Sequence, residues 1–113
     1  MRTKLAIMRQ WFACSHPIAA VDTAGKYGAV LALEVLSHGL RHLGVPRAGL
    51  VLSNKLGWYR VPLRGHEPTF EKGVWKDIRH DAVQRLGYDG ILACWQQGCD
   101  LLGGLQPLSL IHI

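Results

Sequence analysis

Three residues of the chain could together transfer a proton to or from a carbonyl group: Asp22, Tyr27 and Lys55. A free phenol ionises near pH ~10 and is a poor proton donor at neutral pH, but a cation about 4 to 6 Å away favours the phenolate. Lys55 is the predicted cation, and Asp22 is predicted to pair with its ammonium and keep it charged. The trio therefore predicts a general acid for a carbonyl oxygen, which is the partner that a hydride donor requires.

The elements that must position this trio are predicted to be a strand, a helix and a second strand. The apolar runs at residues 18–21 and 50–53 are short and continuous, as in buried parallel strands. Between them, apolar residues recur every three or four positions and predict an amphipathic helix: Ala32, Val35, Leu36, Leu40 and Leu43. Because the strands of such a unit are parallel, the residues after their carboxyl ends meet at one edge. A salt bridge with a tyrosine packed over it is the non-catalytic alternative.

The rest of the chain is predicted to be a loop and a helix. Residues 57–73 show no periodicity but hold Trp and Tyr residues, which predicts a lid or binding loop. A second helix is predicted from Asp89, with Asp89 as its cap and Leu92, Trp95 and Leu102 on its buried face.

Two segments resemble the motifs of one enzyme family. Residues 22–28, DTAGKYG, resemble the D-T-A-x-x-Y-G signature of the aldo-keto reductases, and residues 52–57, LSNKLG, are similar to that family's motif around its catalytic lysine. The resemblance implies that Tyr27 is the general acid/base, Lys55 its modulator and Asp22 the support of Lys55. It also implies NADP(H), or else NAD(H), as cofactor. Residues 57–104 most resemble the branch of bacterial L-fucose and D-threo-aldose dehydrogenases.

The fold that the resemblance implies is α/β, a partial (β/α)8 barrel with one βαβ unit, a long loop and a following helix. It would occupy residues 18–107, whereas residues 1–17 diverge and show neither the family's first strand nor the helix before Asp22. Residues 108–113, LSLIHI, have the wording of a sequencing-adapter read-through and are predicted to be non-native. His112 within them imitates the family's catalytic histidine, and its role stays open. At 113 residues the chain is far shorter than a barrel of ~250, so it is expected to be an inactive fragment.

Composition argues against several other classes. The 13 Lys and Arg against 8 Asp and Glu give a net charge of +5, but the basic residues are dispersed and lack a zinc-finger or RNP-type motif. We therefore expect no nucleic-acid partner. Three cysteines without a CxxC pair argue against a disulfide framework or structural zinc site and favour the cytoplasm. No apolar stretch approaches the ~20 residues of a membrane span, so no membrane partner is expected.

The predicted function is hydride transfer between NADP(H) or NAD(H) and an aldehyde, ketone or sugar, with Tyr27 exchanging the proton. Two further classes stay open: a non-catalytic nicotinamide-binding or regulatory module on the same scaffold, and a small basic nucleic-acid binder. Nicotinamide binding separates the first two from the third, and turnover separates the first from the second. The residues that would hold the cofactor, the substrate, the reaction direction and the oligomeric state are not predicted.

Overall fold

The described residues of the chain form three helices, a small parallel sheet and a separate antiparallel hairpin. The computed structural model describes residues 2–13, 20–45, 50–103 and 109–112, the last range as backbone. In chain order the elements are α1 (Arg2–Ala13), β1 (Ala20–Asp22), α2 (Leu31–His42), β2 (Val51–Leu56), β3 (Trp58–Pro62), β4 (His80–Gln84), α3 (Tyr88–Leu102) and β5 (Ser109–His112). Among the described helices, none combines the length and the apolarity needed to cross a bilayer.

The parallel sheet has the strand order β1-β2-β5. β1 and β2 are parallel neighbours joined through α2, which confirms the predicted βαβ unit. Their register sets Asp22 opposite Ser53, so Lys55 lies two residues further along the same edge. On the other side of β2, the backbone of β5 sets His112 opposite Leu56. That residues 108–113 are non-native stays a prediction.

The expectation of a partial (β/α)8 barrel is wrong. Such a barrel needs parallel neighbouring strands with a helix after each one. Here β2 is followed directly by β3 with no helix between them, because Gly57 adopts a φ of 121°, a conformation that suits glycine and bends the chain out of the parallel sheet. β3 then pairs antiparallel with β4, from Trp58 opposite Gln84 to Pro62 opposite His80. The described strands therefore form two separate sheets. The loop predicted over residues 57–73 is wrong for Trp58–Pro62, because these residues form β3.

The core is built around α2. Leu36 and Leu40 of the predicted helical face are buried there, and Leu33 is buried with them. The sequence pattern did not predict α1, which packs Met8 so closely on α2 that a Cβ at Gly39 would lie 2.5 Å from the Met8 sulfur. The buried residues of this core cluster come from the three described helices, from β2 and from positions next to these elements: Met8, Val30, Leu33, Leu36, Leu40, Leu50, Leu52 and Leu102.

The predicted α3 exists, and Leu102 of its predicted face is buried, but Leu92 and Trp95 are not among its buried residues. Its buried residues are every fourth one: Gly90, Cys94, Gly98 and Leu102. Leu92 is 48% exposed, and the helix begins after Gly87 with no side-chain cap, so Asp89 is not the cap. The small residues let the helix approach the sheet closely, since a Cβ at Gly98 would lie 3.3 Å from the Asn54 amide nitrogen. The helix therefore packs through small residues, whereas helical periodicity predicts a face of larger apolar residues.

Gly90→Ala should therefore destabilise the protein, although alanine favours a helix. A Cβ at Gly90 would lie 2.7 Å from the backbone oxygen of Arg85, and relieving this overlap should cost about 1–3 kcal/mol. Thermal unfolding followed by circular dichroism should show a melting temperature several degrees lower. Gly87→Ala is the control, because no atom lies within 4 Å of its added Cβ. A higher melting temperature for Gly90→Ala, as helix propensity alone would give, contradicts this packing.

Candidate functional site

The ends of β1 and β2 place an aspartate beside a lysine. Lys55 Nζ donates a hydrogen bond to Asp22 Oδ2 and forms an ion pair with it. The ladder continues beyond β1, since the Thr23 N–H donates to the Ser53 oxygen at 2.9 Å and the Gly25 N–H to the Lys55 oxygen at 3.4 Å. This backbone pairing holds the two side chains at one sheet edge, as predicted. The Lys55 side chain is 15% exposed and that of Asp22 is 53% exposed.

Each member of this pair shifts the other toward its charged form. The hydrogen bond from Lys55 holds the pKa of Asp22 below its usual value and outweighs the effect of partial burial. The hydrogen bond to Asp22 likewise raises the pKa of Lys55, to which the Tyr27 phenol adds a smaller contribution. Lys55 is therefore a fixed ammonium at neutral pH.

Tyr27 lies against this ammonium. Its ring centroid is 5.5 Å from Lys55 Nζ, and its residue is 42% exposed. The turn before α2 positions its backbone. The Tyr27 N–H donates to the Ala24 backbone oxygen at 3.1 Å, and the Tyr27 backbone oxygen accepts from the Ala32 N–H at 3.2 Å. The structure thus brings the predicted trio together, while the catalytic roles of its members stay predictions.

The turn that carries Tyr27 has a strained backbone. Gly28, Ala29 and Val30 all have positive φ values, 65°, 54° and 69°, and a β-branched residue such as Val30 rarely adopts this conformation. Arg60 of β3 stabilises the turn from outside, because its Nε donates to the Ala29 oxygen at 2.7 Å and its Nη2 to Glu34 at 2.8 Å. The hairpin therefore supports the position of Tyr27, a role for Arg60 that no sequence motif indicated.

The loop between β3 and β4 also contacts this turn. Glu71 forms an ion pair with Lys26 at 2.6 Å and accepts a hydrogen bond from the Trp75 indole at 2.7 Å. Gly25 lies so close to the hairpin that a Cβ there would be 2.8 Å from the Trp58 oxygen. The loop predicted to be a lid thus borders the site and is packed against it.

A buried carboxylate organises the base of this loop. Asp81 of β4 accepts hydrogen bonds from the Thr69 N–H at 3.0 Å and the Thr69 hydroxyl at 2.7 Å, and from the Ala82 N–H at 2.8 Å. Burial alone would raise the pKa of Asp81, but these bonds to the charged form lower it below the usual value. Asp81 is therefore ionised at neutral pH and holds the loop in place from the sheet side.

A cavity of about 510 Å³ opens beside the trio, between α1 and α2. It is lined in part by Asp22, Thr23 and Tyr27, and the other lining residues are mostly apolar: Lys4, Ile7, Met8, Trp11, Val21, Gly28, Leu31, Ala32, Val35, Leu36 and Trp75. Sequence reasoning missed the α1 residues. The spacing of Leu5, Met8 and Phe12 is the helical signal that could have revealed them.

The cavity does not fit a whole nicotinamide dinucleotide. A diphosphate requires several cationic or N–H donors, whereas Lys4 is the only basic residue among the described residues that line the cavity. A second cavity of about 710 Å³ beside the hairpin has Arg64 and Lys72 in its lining, but none of the trio. We therefore assign no described residue to NADP(H) or NAD(H). Within the described ranges there is likewise no group of three His, Cys, Asp or Glu residues that could bind a metal ion.

No protein-family model matches the chain, and no curated protein matches it either. The resemblance to aldo-keto reductases therefore rests on the two short motifs and on the residues they contain.

The ion pair predicts a specific pH dependence of stability. Because the pKa of Asp22 is lowered, its contribution to the free energy of unfolding is present above about pH 4 and is lost as the pH falls through the lowered value. Because the pKa of Lys55 is raised, its contribution is present below about pH 10 and is lost as the pH rises through the raised value. At neutral pH, Asp22→Asn should cost about 1 kcal/mol or less, since Asp22 is half exposed.

The measurement is urea unfolding of both proteins across the pH range. The difference between their free energies of unfolding should be largest between about pH 4 and about pH 10 and should shrink beyond each limit. A difference that stays constant at acid pH would show that the ion pair does not account for the effect of the substitution.

Proposed function

We propose that this chain supplies the proton-transfer residues of a nicotinamide-dependent carbonyl oxidoreductase. The observation that carries the proposal is the contact of the Tyr27 ring with the Lys55 ammonium, 5.5 Å from the ring centroid, while Asp22 pairs with the same ammonium. A cavity of substrate size borders Tyr27 and Asp22. The two motifs of the sequence support the same chemistry.

In this function Tyr27 exchanges one proton with the substrate oxygen. During reduction the phenol donates its proton to the carbonyl oxygen as the carbon accepts hydride, and during oxidation the phenolate takes the proton back. The Lys55 ammonium stabilises the negative charge left on the phenol oxygen, because a nearby cation favours the charged form. Asp22 keeps Lys55 oriented and charged. The motif resemblance implies NADP(H) or NAD(H) as the hydride source, and the role of the trio in this function is proton transfer.

The positions of the three groups divide their tasks. Tyr27 is 42% exposed and lines the cavity, so a bound carbonyl compound can reach its phenol. Lys55 is largely covered and is absent from the cavity lining, so it acts on the substrate through Tyr27. Asp22 contacts Lys55 from the strand end. We therefore assign Tyr27 the catalytic role, and Lys55 and Asp22 the positioning and electrostatic roles.

Tyr27→Phe should lower carbonyl reduction by at least about 100-fold and leave the nicotinamide Kd nearly unchanged, because it removes a proton donor used in the transition state. The assay is NADPH and NADH oxidation by the gene product that contains this chain, with an apolar ketone and with an aldose. Tyr59→Phe is the matched control. Tyr59 also stacks against a cation, the Arg85 guanidinium at 4.9 Å, but outside the cavity lining.

Turnover and nicotinamide binding together distinguish an enzyme from a non-catalytic module. Unchanged turnover in Tyr27→Phe would overturn the assignment of the general acid. Nicotinamide binding without turnover in the unsubstituted protein would identify a non-catalytic module instead. Loss of turnover in Tyr59→Phe to the same degree would show that any tyrosine substitution damages the protein.

A further inference from the structure

We propose that the cavity between α1 and α2 binds an apolar aldehyde or ketone, and that α1 is the wall that excludes sugars. The carbonyl chemistry rests on the proposed function, whereas the apolar character of the ligand rests on the cavity itself. Among the aldehydes, ketones and sugars predicted as substrates, the cavity would accept carbonyl compounds with an aliphatic or aromatic body. The residues of α1 that provide this selectivity lie outside the two motifs.

The walls of the cavity are apolar over most of their surface. Three of the lining side chains stay partly open to solvent in the protein alone: Ile7 is 46% exposed, Trp11 is 43% exposed and Leu31 is 36% exposed. Exposed apolar side chains gathered around one concave site are typical of a ligand-binding surface. A polyhydroxylated ligand would lose its water against these walls and find few hydrogen-bonding partners, which costs free energy.

Few of the lining side chains are polar, and two of these belong to the trio. Tyr27 and Asp22 both line the cavity, and Tyr27 is 42% exposed. A phenol both donates and accepts hydrogen bonds, so it can pair with the oxygen of a ligand. The ligand is therefore oriented with its oxygen toward Tyr27 and its apolar body along α1.

The volume of the cavity, about 510 Å³, lies in the range of small-molecule binding sites. The body of such a ligand would contact Ile7 and Trp11 of α1 on one side and Leu31 and Val35 of α2 on the other. Because residues 2–13 supply one wall of the cavity, the selectivity for a ligand with an apolar body depends on α1.

The test is calorimetric titration without nicotinamide, with 4-phenyl-2-butanone and D-arabinose as probes. We expect the ketone to bind at least tenfold more tightly than the sugar. Ile7→Glu places a charge in the wall and should weaken ketone binding at least tenfold. Leu92→Glu is the matched control, because Leu92 on α3 is 48% exposed, much like Ile7, and does not line the cavity. Equal binding of the two probes, or unchanged ketone binding in Ile7→Glu, would overturn the proposal.

A second variant tests the orientation of the ligand. Tyr27→Phe removes the hydroxyl and keeps the ring, so ketone binding should weaken several-fold. Binding of the matching hydrocarbon, butylbenzene, should not weaken, since it has no oxygen to pair with Tyr27. Equal weakening for both ligands would show that the substitution perturbs the cavity and that the hydroxyl does not orient the ligand.

The outcome for the cavity is independent of the outcome for catalysis. Ketone binding without any nicotinamide-dependent turnover would overturn the proposed function and leave the ligand site standing. Turnover of an aldose with no binding of the ketone would overturn the ligand site and leave the proposed function standing.

Discussion

The ion pair between Lys55 and Asp22 connects the two parallel strands at the edge where the candidate chemistry lies. Its geometry follows from the register of β1 and β2, because Asp22 stands opposite Ser53 and Lys55 follows two residues later. A shift of one residue would turn Lys55 toward the other face of the sheet and separate the pair. The contact with Tyr27 depends on the same register, since the turn that carries Tyr27 stays hydrogen-bonded to β2 through Gly25.

The hairpin of β3 and β4 supports this edge through hydrogen bonds and an ion pair. The turn before α2 contains three successive residues with positive φ, a conformation that needs support from its surroundings. Arg60 supplies that support by binding the Ala29 oxygen, and the loop of the hairpin adds the ion pair of Glu71 with Lys26. Asp81 in turn holds the loop. The position of one exposed tyrosine therefore depends on hydrogen bonds that begin in a different sheet.

The site separates charge from apolar surface. Lys55 is largely covered at the strand edge and contacts the Tyr27 ring, while the cavity that Tyr27 lines is walled by apolar residues of α1 and α2. In the proposed function, this phenol exchanges a proton with the oxygen of a carbonyl compound whose apolar body lies in the cavity. The same arrangement explains why the cavity offers little to a diphosphate, for which cations would have to lie in the wall itself.

Local signals in the sequence were sufficient for the βαβ unit and for the trio. A strand-like apolar run, a helical period and a second apolar run are short-range patterns, and the parallel pairing of the strands follows from their connection. The meeting of Asp22, Lys55 and Tyr27 could therefore be predicted from the amino-acid sequence alone. The fold beyond Leu56 could not, because the bend at a single glycine, Gly57, leads the chain into a strand of a second sheet where a helix was expected. The buried face of α3 also escaped prediction, since close packing of Gly90 and Gly98 outweighed hydrophobic periodicity. Only the tertiary structure decided the walls of the cavity and the support of the turn, because α1, Arg60 and Trp75 meet the site through contacts that are distant along the chain.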